Sequence, residues 1–304
     1  MEDKKGIGHI AAVITIFIWG TTFISTKVLL KDFQPVEILF FRFVLGLAAL
    51  LIVYPKPLKG TTKQQELTFA AAGLCGITLY YLLENIALTF TMASNVGVIL
   101  SIAPFFTAIL SFTVSKGERT GLSLNFFAGF VIAMAGICLI SFGGSKVQVN
   151  PAGDLLAVIA ALVWAVYSLL TKKISGFGFS TIQTTRRVFA YGILFMIPAL
   201  FFFDFKWDLA RLTNMGNLLN LLFLGLGASA LCFVTWNFSV KHLGPVKTSI
   251  YIYMVPVITV TASALILKER ITGLAILGTA LTLAGLLLSE MKLDFFRRKK
   301  SNRE

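Results

Sequence analysis

Charge is what this chain of 304 residues has least of: Asp, Glu, Lys and Arg together make up 13%, against about 25% in a soluble globular domain. With 57% hydrophobic residues and a mean hydropathy of +0.84, that scarcity excludes a chain built mainly of soluble domains. It predicts an integral membrane protein with several spans. Acidic residues are the scarcer sign, 14 against 27 basic, for a formal net charge of +13. In a soluble protein such an excess would suggest nucleic acid. Here the cations lie between apolar runs and in the tail, so they read as topology signals on a lipid bilayer, and no nucleic-acid partner is expected. Cysteine is sparse as well. Cys75, Cys138 and Cys232 fall singly in apolar runs, form no CxxC pair, and read as small buried hydrophobes. His9 and His242 sit near span ends, and neither HExxH nor GxxxxGK[ST] occurs. No metal site, catalytic residue, cofactor or direct use of ATP is therefore expected, and the chain does not read as an enzyme.

What is present is a series of long apolar runs. The first could pass for a secretory signal, but it is too long for one and no small-residue cleavage site follows, so it is expected to be a transmembrane helix. Apolar runs set against polar breaks predict ten spans, at 10–30, 35–54, 66–89, 94–115, 122–142, 153–172, 181–203, 216–238, 247–267 and 272–291. Turn residues stand between them, among them Pro55-Lys56-Pro57, Asn150-Pro151, Gly176-Phe177-Gly178 and Gly244-Pro245. With the N-terminus inside, the cytoplasmic loops hold Lys56, Lys59, Lys63, Lys116, Arg119, Lys172, Lys173 and Lys241, and the basic tail 292–304 lies there too. The other face keeps Lys27, Lys31, Lys146, Lys206, Arg211, Lys268 and Arg270. That bias predicts a multi-pass protein of the cytoplasmic membrane with both termini cytoplasmic.

The first run carries a polar stripe. Thr15, Trp19, Thr22 and Thr26 recur at spacings of one helical face, which lipid alone would not require. The sixth run repeats the pattern: Trp19 falls on Trp164 and Lys27 on Lys172, each pair 145 apart, and Arg42 falls on Arg187 at the same interval. Pro104, Thr107 and Ser111 fall on Pro256, Thr259 and Ser263, 152 apart, and Gly129 and Gly136 answer Gly278 and Gly285. The expected architecture is an all-α membrane protein of ten transmembrane helices, built as two five-helix repeats at 1–145 and 146–291. Five is odd, so the second copy lies inverted. Inverted repeats are the mark of secondary transporters, with the solute site in a central cavity near the midplane.

The Trp-bearing first helix ending in Lys27, Arg42-Phe43-Val44, Ala103-Pro104-Phe105-Phe106-Thr107-Ala108 and the closing Glu118, with their second-half counterparts, resemble the EamA family of the drug/metabolite transporter superfamily. The resemblance covers nearly the whole chain. It implies ten helices and export of small metabolites, commonly amino acids or related compounds, across the cytoplasmic membrane. Phosphorylated or sugar-linked solutes, carried by relatives in the wider superfamily, are the alternative. A membrane enzyme or non-transporting receptor is a third reading, for which no carboxylate, His or Cys cluster is visible inside the spans.

Ionisable and aromatic residues inside spans are the candidate site, because a buried charge there is costly. Trp19, Thr22, Arg42, Tyr81 and Asn95 from the first copy, and Trp164, Tyr167, Ser168, Arg187, Trp236 and Tyr251 from the second, are expected to line the solute path. Each has a plain alternative in packing or in snorkelling toward the membrane surface. Lys27, Arg42, Glu84 and Asn95 are expected to form one network near the outer face. It serves either as a gate-side buried ion pair or in function, with Glu84 as a proton-coupling site or with Arg42 meeting a substrate carboxylate. Lys27 and Lys172 are gate candidates, and Pro104 and Pro256 hinge candidates through the carbonyl each leaves free. The inner counterparts, Lys172, Arg187, Asn237 and Lys247, look cationic with no evident carboxylate. The four glycines at 129, 136, 278 and 285 read as close helix packing. Monomer and homodimer both stay open.

Overall fold

The computed structural model describes residues 2–90, 93–114, 124–143, 150–203, 205–267 and 273–290. Glu118 and the tail 292–304 lie outside them. Among the described residues the regular elements are all helical: α1 Glu2–Leu29, α2 Pro35–Val53, α3 Lys63–Phe90, α4 Ala93–Leu100, α5 Ala103–Val114, α6 Leu124–Gly143, α7 Pro151–Ser175, α8 Thr181–Phe202, α9 Met215–Leu243, α10 Pro245–Ile250, α11 Met254–Leu267 and α12 Gly273–Glu290. Six of these, α1, α2, α3, α7, α8 and α9, are long and apolar enough to cross a membrane. Their outward side chains, such as Ile14, Phe17, Ile52 and Phe201, are exposed, which suits a hydrocarbon surround.

Local chemistry sets the ends. Pro35 opens α2, where the missing N–H costs nothing, and the Glu37 carboxylate accepts the Gln34 N–H at 2.7 Å. The Asn150 side chain caps α7 by accepting from the Ala152 and Gly153 N–H groups. Between α9 and α10, Gly244 takes φ 88, a backbone state that a side chain would strain. Helix α1 begins at Glu2, further back than the apolar run, because nothing in its charged start breaks a helix.

Two expected spans are broken. The run 94–115 is α4 and α5, joined through a turn at Ser101-Ile102, and 247–267 is α10 and α11, joined by a 3-10 turn at Tyr251–Tyr253. In each case the proline, Pro104 or Pro256, lies near the start of the second piece. It lacks the N–H that would continue the first, so the helix stops and restarts rather than kinking. Helices α3 and α9 each contain a π-helical stretch, Leu74–Leu79 and Phe223–Leu231, which no local sequence signal announces.

Helix α1 packs along α9 and against α11, while α7 packs along α3 and against α4 and α5. Helix α2 lies on the π stretch of α9, α8 lies on α3, and α2 meets α8. Helices α6 and α12 form the most extensive contact. There Gly129 abuts Gly285 and Ser289, and Gly136 abuts Gly278 and Thr282, so the backbones touch directly. The close packing expected of these glycines is therefore a contact within the chain. Gly136→Leu should lower the melting temperature of the detergent-solubilised protein, since overpacking such a contact costs about 1–3 kcal/mol. Gly6→Leu, where a new side chain meets open space, should leave it unchanged. Equal melting of the two variants would contradict the assigned contact.

Candidate functional site

The interior is held by aromatic rings from both halves of the chain. Trp19 of α1 and Trp164 of α7 meet edge to face at 5.2 Å, and Trp236 of α9 stands 5.0 Å from Trp19 and 5.8 Å from Trp164. A pocket opens beside them, with about 490 Å³ of atom-free space including its solvent-open part. Helix α1 contributes Trp19, Thr22 and Phe23 to it, α3 contributes Tyr80, Tyr81 and Glu84, and α7 contributes Trp164. The remaining wall comes from the two helix breaks: Leu100 and Ala103 flank one, while Ile252 lies within the other and Val255 just beyond it. Both interruptions thus face the cavity, the setting in which irregular backbone is tolerated at membrane depth.

Polar groups gather on the α3 side. Arg42 is 1% exposed. Its Nε donates to the Ser229 hydroxyl at 3.0 Å, and its guanidinium lies 4.3 Å from the centre of the Tyr81 ring, a cation–π contact. Its two terminal nitrogens have no hydrogen-bond partner. Glu84, also buried, lies near Arg42 but makes no ion pair with it within 4.0 Å. The indole N–H groups of Trp164 and Trp236 are likewise unpartnered. Trp19 differs: its indole donates to the Ala228 carbonyl at 2.9 Å, inside the π stretch of α9, where the i→i−4 ladder is interrupted. Thr22 donates back to the Trp19 carbonyl. Among the described residues no group of three or more His, Cys, Asp or Glu side chains is close enough to hold a metal ion.

Of the expected site residues, Trp19, Thr22, Tyr81, Glu84 and Trp164 line this pocket, and Arg42 and Trp236 stand directly behind its wall. Others go elsewhere. Tyr167 is fully buried with its hydroxyl on Asn237, which in turn donates to Thr185, so it ties α7, α9 and α8 together instead of facing solute. Ser168 bonds back to the Trp164 carbonyl. Tyr251 sits against His9 at 2.6 Å, beside the first turns of α1. Lys27 donates to the Leu88 carbonyl at 2.6 Å, apart from Arg42 and Glu84. Lys172 is exposed, with a long 3.5 Å contact to the Lys241 carbonyl. The Asn95 side chain lies outside the described residues.

Arg187 is the clearest correction. It forms an ion pair with Glu66 at 3.2 Å, with its side chain 39% exposed, so the cluster expected to be cationic does have a carboxylate. That carboxylate comes from the first turn of α3 in the other copy and also accepts from the Tyr191 hydroxyl. A matching clamp closes the opposite end. Glu37, fully buried in α2, takes two hydrogen bonds from Arg211, at 2.8 and 3.2 Å, and one from the Lys206 N–H at 2.9 Å. Ser229, Glu66 and the Glu37–Arg211 pair were absent from the expected site. Only Glu37 had a signal, a carboxylate one turn inside an apolar run.

Six helices long and apolar enough to cross a membrane, packed around an aromatic-lined pocket, define a multi-pass membrane protein. The model of the EamA-like transporter family matches residues 6–142 and again residues 151–291, and the chain belongs to that family. An uncharacterized transporter of Archaeoglobus fulgidus is 27% identical over 93% of this chain and 97% of its own. A probable terminal-alkyne amino-acid exporter of Streptantibioticus cattleyicolor is 25% identical, with 96% of each chain covered. A solved crystal structure of a protein shares the fold at a TM-score of 0.73 and 18% identity, over 99% of both chains.

Breaking one side of a buried ion pair costs about 3–5 kcal/mol. Glu37→Gln should therefore lower the detergent melting temperature well below that of Arg187→Gln, whose pair is partly exposed and worth about 1 kcal/mol or less. Equal effects would show that the Glu37 clamp does not hold the α8–α9 connection.

Proposed function

We propose that the protein is a secondary transporter exporting small metabolites, amino acids or related carboxylates, across the cytoplasmic membrane by alternating access. The observation that carries this reading is the meeting of Trp19 and Trp164, equivalent residues of two copies, at a cavity onto which both helix breaks open. The probable amino-acid exporter among the relatives supports the substrate class.

The unit 1–145 and its inverted copy 146–291 find support in matched packing. Gly73 of α3 closes on Val188 and Gly192 of α8, as Gly225 of α9 closes on Arg42 and Leu45 of α2. Gly192 meets Ile77 of α3, as Gly46 meets Ser229 of α9. Exchanging the copies thus maps α1, α2, α9 and α11 onto α7, α8, α3 and α5. Each group mixes both copies, and rocking of one against the other would open the cavity to alternate faces, with Pro104 and Pro256 at the breaks as hinges. In this reading ten spans cross the bilayer, both termini are cytoplasmic, and Arg42 and Glu84 lie toward the outer face while Lys172 and Arg187 lie inward. Phosphorylated solutes fit less well, because the wall includes the Glu84 carboxylate and is otherwise mostly apolar.

Proteoliposomes loaded with labelled amino acids, with and without a pH gradient, test the reading. Flux of at least one solute is expected, reduced tenfold or more by Trp164→Ala. No flux for any solute, in protein shown to be folded, would overturn it. Flux that ignores both the pH gradient and Glu84→Gln would remove proton coupling at Glu84.

A further inference from the structure

The buried charges beside the cavity are arranged in an unusual way. Arg42 and Glu84 carry opposite charges and are 1% and 3% exposed; Arg42 stacks on the Tyr81 ring at 4.3 Å, and Glu84 follows Tyr81 by three residues on the same face of α3, both lining the pocket. Yet they make no ion pair. A salt bridge built only for stability would close that gap, because a charge left unpaired in a low-dielectric interior is expensive. Instead both terminal nitrogens of Arg42 lack any acceptor. The indole N–H of Trp164, in the pocket wall, lacks one too. Buried donors without partners cost about 1–3 kcal/mol each, so such a cluster calls for a group that brings acceptors to it.

We propose that Arg42 and Glu84 form a split ion pair that the substrate closes. The solute is a zwitterion, an α-amino acid with an apolar side chain, whose carboxylate meets Arg42 and Trp164 and whose ammonium meets Glu84. The proposal rests on the transport reading above and sharpens its substrate class. An α-amino acid carries its two charged groups on one carbon, each opposite in sign to one member of the protein pair, so one molecule satisfies both. Arg42 lies behind Tyr81, whose ring is in the wall. Rotation of that ring opens the guanidinium to the cavity and gives the carboxylate its bidentate partner. The rest of the molecule then lies against Phe23, Leu100, Ile252 and Val255, a surface that favours hydrocarbon over polar side chains. A dianionic phosphate would meet Glu84 with like charge. An amine without a carboxylate would leave Arg42 unpaired.

Three compounds with one side chain separate these terms: L-leucine, 4-methyl-2-oxopentanoate, which lacks the ammonium, and 3-methylbutylamine, which lacks the carboxylate. Trp19, Trp164 and Trp236 make intrinsic fluorescence a direct readout of binding in detergent. The wild-type protein should bind leucine at least tenfold more tightly than either analogue. Glu84→Gln should abolish the advantage over the oxo acid while sparing oxo-acid binding. Arg42→Gln should weaken both carboxylates and spare the amine. An oxo acid or amine bound within twofold of leucine by the wild type would overturn the proposal, as would no binding of any of the three. The wild-type comparison decides even if a variant fails to fold. Flux of the oxo acid or the amine alone in proteoliposomes would sink the zwitterion and leave the transporter standing. Absence of flux for every solute would sink the transporter as well.

Discussion

Arg42 is the group the rest of the structure has to accommodate. A guanidinium in the middle of an apolar helix costs about 2.5–3.5 kcal/mol on insertion scales, and lipid offers it nothing. The fold surrounds it instead. Tyr81 of α3 gives it a ring face, Ser229 of α9 gives it an acceptor, and Glu84, three residues beyond Tyr81 on α3, is the buried carboxylate on that side. Ser229 comes from the other copy of the repeat, so the same requirement that shelters Arg42 draws α2 onto α9. The glycines along that contact, Gly46 and Gly225, remove the side chains that would hold the helices apart.

The clamps at the two ends each join the first half of the chain to the second, with the polarity exchanged. At one end an acidic residue of α2, Glu37, grips the α8–α9 connection through Arg211 and Lys206. At the other, basic and amide side chains of α8 grip the α2–α3 connection. Arg186 donates to the Tyr54 and Lys56 carbonyls, Gln183 to those of Lys56 and Pro57, and Arg187 pairs with Glu66. Each clamp joins one copy to the other, and in each the helix following the gripped connection packs on the helix that grips it. The pocket takes none of the clamp residues into its wall; α1, α3, α7 and the two helix breaks line it, and aromatic contacts such as Trp19 on Trp164 and Tyr80 on Trp164 border it.

Much of this was legible in the residues. Hydropathy located the helices, and the Thr15–Trp19–Thr22–Thr26 stripe correctly turned α1 inward, because a polar face on a membrane helix has few other uses. The echo of Trp19 in Trp164 pointed to two rings that meet in the structure. What escaped detection depended on rotation about a helix axis or on partners from the other copy. Tyr167 and Tyr251 were at suitable depths but point to Asn237 and His9, and hydropathy does not report which way a tyrosine faces. Glu66 was missed as the partner of Arg187 because comparing the repeats sets like against like, whereas the clamp pairs unlike helices. The π stretches of α3 and α9 leave no local mark in the sequence.

The central claim is that the polar face of α1 borders the path of the solute while its other side faces lipid. Single cysteines placed along α1, in a background without Cys75, Cys138 and Cys232, test it directly with a membrane-impermeant thiol reagent on intact membranes. The structure predicts that Thr22→Cys reacts and is protected by a transported solute, and that Ile14→Cys and Phe17→Cys, on the exposed apolar side, stay unreactive. Labelling at Ile14 and Phe17 with none at Thr22 would contradict it.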